Sequence, residues 1–189
     1  MVEEPALTTV AKAQLRATLR TLRRTLSAAQ RTAAQACLCR LVAERFAARP
    51  PIAVASYAAL ADEASLDAWN AQWWAAGKTV WMPRVSAPGV LSWHAVTDPT
   101  QLIIGAYGIR EPAVAVVPEA PLPAQATLLV PGVGFTADGW RLGQGGGFYD
   151  RVLATHQGPT IGIAFACQRV AALPVGPYDR QVSEVLFGD

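Results

Sequence analysis

Short apolar runs separated by helix-like stretches set the strongest limit on how this chain can fold. The runs 52-IAVASY-57, 79-TVWMP-83, 126-ATLLV-130, 160-TIGIAFA-166 and 182-VSEVLF-187 all have the length of a strand. Those at 52, 126 and 160 are apolar nearly throughout, the pattern of strands covered on both faces. The run 90-VLSWHAV-96 instead alternates with period two and reads as a half-exposed strand. Pro83 is expected to close its strand, and the proline-rich stretch from Pro112 to Pro123 to be irregular apart from 114-VAVV-117. Between the runs, 65-SLDAWNAQWWAAG-77 reads as a helix ended by glycine, and a second helix is expected over 147–155. Strands alternating with helices predict an α/β fold with a mainly parallel sheet. The length of 189 residues suits one domain over 1–189, with residues 1–9 flexible.

The first fifty residues read differently. Leu15, Leu19, Leu22 and Leu26 recur at helical spacing, so 10–26 is expected to be a helix with one face packed inward. Ser27 and Gln30 form a capping-box signature for a second helix over 28–48, stopped by Pro50 and Pro51. The two are expected to form a helical hairpin laid on the rest of the domain. Net charge is only +2, yet half of the sixteen Lys and Arg residues fall between Lys12 and Arg45, with Glu44 the sole acid there. Such a segment suits an anionic partner: nucleic acid, a nucleotide or a small polyanion. Residues 10–45 contain no aromatic to stack on bases, which argues against an RNA surface.

The apolar runs are too short to cross a bilayer, and the opening MVEEPALTTV lacks the apolar core of a secretory peptide. Cys37, Cys39 and Cys167 make an odd set without zinc-ligand spacing; free thiols in a cytoplasmic protein are expected.

The most distinctive stretch is 141-RLGQGGGFYDR-151, lying between the strand at 126–130 and the helix at 147–155. A loop beyond the carboxyl end of such a strand is where ligands collect in α/β sheets. Glycines allow backbone amides to approach an anion, and the following helix N-terminus adds unpaired N–H groups. The spacing fits neither G-x-x-x-x-G-K-[ST] nor G-x-G-x-x-G, because no lysine follows and Phe148 stands where a glycine is needed. Two readings stay open on spacing alone: an anion cradle, or a tight loop of left-handed residues. Arg141 suits phosphate oxygens or a surface ion pair. Asp150 suits the helix dipole, or a divalent cation held jointly with phosphates.

The run 131-PGVGFTADGWRLGQGGGFYDR-151 resembles the signature of the 5-formyltetrahydrofolate cyclo-ligase family. The likeness extends from about Lys12 to Phe187 through 12-KAQLR-16, 54-VASYAALADE-63, 107-YGIREP-112, 161-IGIAFACQ-168 and 173-LPVGPYDRQVSEVLF-187. It implies a three-layer α/β sandwich and a ligase that uses ATP and Mg²⁺ to convert 5-formyltetrahydrofolate to 5,10-methenyltetrahydrofolate. By the same likeness Lys12 and Arg16 contact ATP, as does the loop of Arg141, Leu142, Gly143, Gln144, Gly145, Gly146, Gly147, Phe148 and Tyr149. Arg141 carries the catalytic charge, and Asp150 and Asp179 match the metal positions. Glu63 and the segment from Gly145 to Tyr149 match substrate contacts, and Tyr57, Phe148 and Tyr149 are placed to flank a pterin.

Arg20 shares a face with Lys12 and Arg16, but neither it nor Arg23 or Arg24 has a matching role, so all three are expected on a solvated face. His94 and His156 lie outside the matched motifs, and Trp69, Trp73 and Trp74 are expected in the core rather than on a pterin. Ser183 departs from the acid that many relatives carry there. Reduced folate and ATP are the expected partners, with no nucleic acid, membrane or obligate protein partner. The alternatives are an ATP-dependent enzyme acting on another formyl or amide compound, and a non-enzymatic nucleotide or RNA binder.

Overall fold

A computed structural model describes residues 4–189 of the chain. Four α-helices are present in it: α1 (Glu4–Thr25), α2 (Ala28–Ala48), α3 (Asp67–Ala75) and α4 (Phe148–Thr155). The strands are β1 (Val54–Ala55), β2 (Val80–Ala87), β3 (Val90–Val96), β4 (Leu102–Ile104), β5 (Arg110–Pro112), β6 (Thr127–Pro131), β7 (Gly134–Phe135), β8 (Arg141–Leu142), β9 (Thr160–Phe165) and β10 (Glu184–Gly188). Six of them form the central sheet in the order β10-β9-β6-β1-β2-β3. Every pairing in it is parallel except β2 with β3.

The continuous apolar runs follow from coverage on both faces. Successive strand residues point to opposite sides. Leu129 joins Ile161 and Ile163 under Leu38, Val42 and Phe46 of α2, with Trp69 of α3. Its neighbour Leu128 joins Val130, Phe135 and Ala164 on the other side, where Tyr149 and Val152 of α4 pack. The tryptophans of α3 are core residues as expected: Trp69 and Trp73 stack at 4.8 Å, with Phe46 edge-on, and Trp74 is bound through its indole N–H to Val96 O.

Several local expectations change. The first strand shrinks to Val54–Ala55: after Ser56 N–H donates to Trp81 O, the chain leaves the sheet and carries Tyr57 toward the carboxyl ends of the strands. Pro83 does not close β2, which runs on to Ala87. Beyond Trp81, β2 has a strand partner only on the β3 side, and an edge tolerates a missing N–H. In β3 the residues Ser92, Trp93 and His94 are all buried rather than alternating. The chain at 117–120 covers them, with His94 Nδ1 bonded to Val117 O and Ala120 N–H to Trp93 O. His94 is thus a core residue.

The capping box at Ser27 forms in both directions, Gln30 N–H to Ser27 Oγ and Ser27 N–H to Gln30 Oε1. The helices on either side of it are not laid along each other as a hairpin. α2 packs on β9, β10 and α3, while α1 leaves toward the segment after β9. Leu15 and Leu19 explain the divergence, because they pack with Val133, Leu142, Val170 and Leu173 instead of with α2. α1 is helical from Glu4, earlier than the leucine spacing indicated. Residues 1–3, part of the segment expected to be flexible, lie outside the described residues.

Candidate active site

β1, β2 and β6 are neighbours in the sheet, and the chain leaving their carboxyl ends opens into a cleft of about 410 Å³. Its apolar wall includes Tyr57, Pro83, Val85, Leu91 and Phe148, and its polar end is the glycine loop with Arg141 and Asp150. Most of the lining is therefore hydrophobic, with a few polar groups that also include Glu63, Arg110 and Glu111, the usual form of a small-molecule site.

The sequence builds this loop in two steps. β7 and β8 pair into a small antiparallel ribbon within the stretch expected to be plain loop, which carries Arg141 back beneath the end of β6. The chain then turns through Gly145 (φ 109°) and Gly147 (φ 67°), left-handed conformations that disfavour any residue with a Cβ. Gly147 is the N-cap of α4 and supplies no side-chain cap. The first N–H groups of α4 therefore have no capping side chain, the condition for anion binding at a helix N-terminus.

The sequence-predicted charges gather around this loop in pairs. Arg141, only 6% exposed, donates from Nη2 to Asp150 Oδ1 at 2.8 Å and lies over the Tyr149 ring. Lys12 is paired with Asp179, whose carboxylate also accepts from Gly176 N–H at 2.6 Å. Arg16 Nε donates to Gly143 O at 2.8 Å. Its pKa is lowered first by partial burial and then by Arg20, with Asp179 and Asp150 acting in the opposite sense. Both carboxylates thus act on one arginine.

Two buried polar atoms of the cleft have no partner, Tyr149 Oη and Arg141 Nε. Unpartnered buried groups in a cleft are what a bound ligand would satisfy. Burial, and then the nearby Glu63 charge, push the Tyr57 hydroxyl pKa well above its ordinary value; Tyr57 Oη donates to Ala64 O at 2.5 Å. Burial likewise raises Tyr149, against an opposing contribution from Arg141. Both phenols remain neutral donors at physiological pH. Glu63, 7% exposed, accepts from Leu60 N–H at 3.1 Å and from Gln144 Nε2 at 2.7 Å.

Sequence reasoning missed two arginines. Arg20, expected on a solvated face, donates to Gln144 Oε1 at 2.5 Å. Arg23, expected there too, is 2% exposed and binds Asp62 at 2.8 Å. The signal was present in the spacing, since Arg23 stands four residues after buried Leu19 and so on the inward face. Arg24 does remain largely exposed, 3.6 Å from Asp62. His156 binds Ala126 O at the end of α4, away from the glycine loop, and Ser183 ties β10 to β9 through Thr160. Ser183 is thereby a strand-pairing residue, which accounts for a hydroxyl at that position.

Burial raises the Asp62 carboxyl, but hydrogen bonding and charge from Arg23, aided by Arg24, outweigh it and hold it below the ordinary range. A depressed folded pKa stabilises above the unfolded value of about 4 and is lost as pH falls through the folded one. Acid unfolding of the wild type should therefore be steeper below about pH 4 than that of Asp62→Asn, measured by circular dichroism. Equal slopes would show that the Arg23–Asp62 pair contributes nothing.

A family model described as the 5-formyltetrahydrofolate cyclo-ligase family matches residues 8–188. The chain belongs to that family. It is 29% identical over 187 residues to the 5-formyltetrahydrofolate cyclo-ligase of Haemophilus influenzae, covering 96% of this chain and all of the relative. It is 34% identical over 153 residues to that of Escherichia coli K12, covering 76% of this chain and 84% of the relative. The solution structure of Aquifex aeolicus 5,10-methenyltetrahydrofolate synthetase superposes with a TM-score of 0.77 at 27% identity, covering 93% of this chain and 89% of the other. The mainly parallel sheet and the cyclo-ligase family expected from the sequence are both borne out. Among the described residues no helix is long and apolar enough to cross a membrane, and no group of three His, Cys, Asp or Glu side chains gathers to hold a metal on its own.

Proposed function

We propose that this cyclo-ligase is a single-domain cytoplasmic enzyme that converts 5-formyltetrahydrofolate to 5,10-methenyltetrahydrofolate, with ATP cleaved to ADP and phosphate. The observation that carries the reading is the two-ended cleft: an apolar wall suited to a pterin runs directly into a glycine loop with buried Arg141 and an open helix end.

The chemistry asks for such a site. Resonance with N5 and a poor oxygen leaving group protect the formyl carbon. Transfer of the γ-phosphoryl of ATP to the formyl oxygen makes that oxygen part of a phosphate. N10 then attacks the carbon and gives up its proton, the ring closes, and the C–O bond breaks as phosphate departs. Positioning and charge stabilisation carry such a path, without a protein nucleophile. In this reading Arg141, the amides of residues 143–149, Lys12 and Arg16 hold the phosphates. Tyr57, Phe148 and Tyr149 flank the pterin, and Glu63 accepts from its N–H groups.

Asp150 and Asp179 fit a Mg²⁺ ion shared with phosphate oxygens, not one held by protein alone. Each carboxylate meets its cation through one oxygen, Asp150 Oδ1 and Asp179 Oδ2, so the other oxygen could turn to the ion while the pairs stay in place. The ion would supply neutralisation of the charge on the phosphates. Asp150→Asn should raise the Mg²⁺ concentration for half-maximal turnover by about tenfold or more, read from methenyl absorbance across a metal titration. An unchanged titration would leave Asp150 as a helix-end partner of Arg141.

The alternative of RNA binding loses support because Lys12, Arg16, Arg20 and Arg23 are turned onto protein groups rather than presented as a phosphate track. An enzyme acting on another formyl compound remains the competing reading that product analysis separates.

A further inference from the structure

Four polar side chains meet at the junction between the glycine loop and the apolar wall. Arg20 Nη2 donates to Gln144 Oε1 at 2.5 Å, and Gln144 Nε2 donates to Glu63 Oε1 at 2.7 Å. Glu63 Oε2 accepts from Leu60 N–H at 3.1 Å, and Arg23 Nη1 stands 3.9 Å from Oε1. Gln144 is therefore the member of this set that ties the glycine loop both to α1 and to the Glu63 carboxylate.

We propose that Gln144 is a positioning residue that makes the binding of ATP and of reduced folate mutually favourable. The proposal rests on the reading above, in which the loop holds nucleotide and Glu63 meets the pterin. The amide of Gln144 uses its oxygen toward Arg20 and its nitrogen toward Glu63, so its orientation is fixed only while both partners are in place. The loop that carries it turns on left-handed glycines at 145 and 147, the residue type with the most backbone entropy to lose on ordering. Nucleotide bound by the loop fixes Gln144. Gln144 in turn fixes the Glu63 carboxylate, whose remaining lone pairs are left for pterin N–H donors. Folate that orients Glu63 fixes the same loop from the other side. Ordering shared by two ligands gives positive coupling, and linkage makes the effect equal in both directions.

The test is calorimetry on the full chain, titrating 5-formyltetrahydrofolate with and without a saturating β,γ-methylene analogue of ATP and Mg²⁺. For the wild type the analogue should tighten folate binding by about 5–50-fold, and folate should tighten the analogue by the same factor. Gln144→Met keeps length at an exposed position, so its melting temperature should be unchanged, but the coupling should fall below about twofold. Coupling retained in the variant, or absent from a wild type that binds both ligands, overturns the inference alone. A wild type that binds neither ligand overturns the functional reading and the inference together.

Discussion

Replacing Arg141 by methionine is expected to lower kcat by about 10²–10³-fold, the loss typical of one preorganised charge at developing negative charge. The guanidinium is held before any ligand arrives. Nη2 is on Asp150, Nη1 donates to Pro131 O at 3.3 Å, and the group lies over Tyr149. That leaves Nε unpartnered and buried in the residue that lines the cleft. A fork fixed in this way has little reorganisation left to do as charge builds on a transferring phosphoryl group. Methionine fills similar volume without charge but breaks a buried pair with Asp150, so the melting temperature should fall too. The two kcat values are therefore compared at a temperature where circular dichroism shows the variant folded. Lysine should recover only part of the rate, because a point charge cannot reproduce contacts to Asp150 and Pro131 together. The variant also frees the Asp150 carboxylate, so its Mg²⁺ requirement should not rise. A kcat within threefold of wild type would remove Arg141 from the reaction.

The second large effect is on stability. Arg23→Met should cost about 3 kcal/mol, at the low end for breaking a buried ion pair. The low end applies because Arg23 Nε and Nη1 already lack hydrogen-bond partners and because Asp62 is partly open to water. Glu63 also keeps Leu60 N–H and Gln144 when Arg23 is removed. For a chain of this length the melting temperature should fall by about 10 °C. Adding Asp62→Asn should recover part of the loss, since the double variant leaves fewer unpaired charges. A fall of less than about 2 °C would show the buried guanidinium to be merely tolerated. The consequence would extend to the site, because Arg23 anchors the turn that carries Glu63.

These two arginines show what the sequence could and could not convey. Runs such as 126-ATLLV-130 and 160-TIGIAFA-166 were legible as buried strands because period-two geometry sends Leu128 and Leu129 into two different cores. The glycine loop was legible because few folds need so much glycine between a strand and a helix. Pro83 misled because a sequence does not show on which side a strand is paired. Arg23 misled because charge argued for solvent while helical arithmetic argued for the core. Its counter-charge, Asp62, lies on a distant segment that only the fold brings near. The pairing of Arg141 with Asp150 and of Lys12 with Asp179 was invisible for the same reason: the partners converge through topology, not through spacing.

The most direct measurement follows 5-formyltetrahydrofolate, labelled with ¹⁸O in its formyl group, through turnover by the purified protein. With ATP and Mg²⁺ both present, absorbance of the methenyl product should rise, one ADP should form per product, and the label should appear in inorganic phosphate. Omitting either ATP or Mg²⁺ should abolish the signal. No product from folded protein under the complete conditions would contradict the assignment, and product formed with the label lost to water would contradict the phosphorylated formyl oxygen.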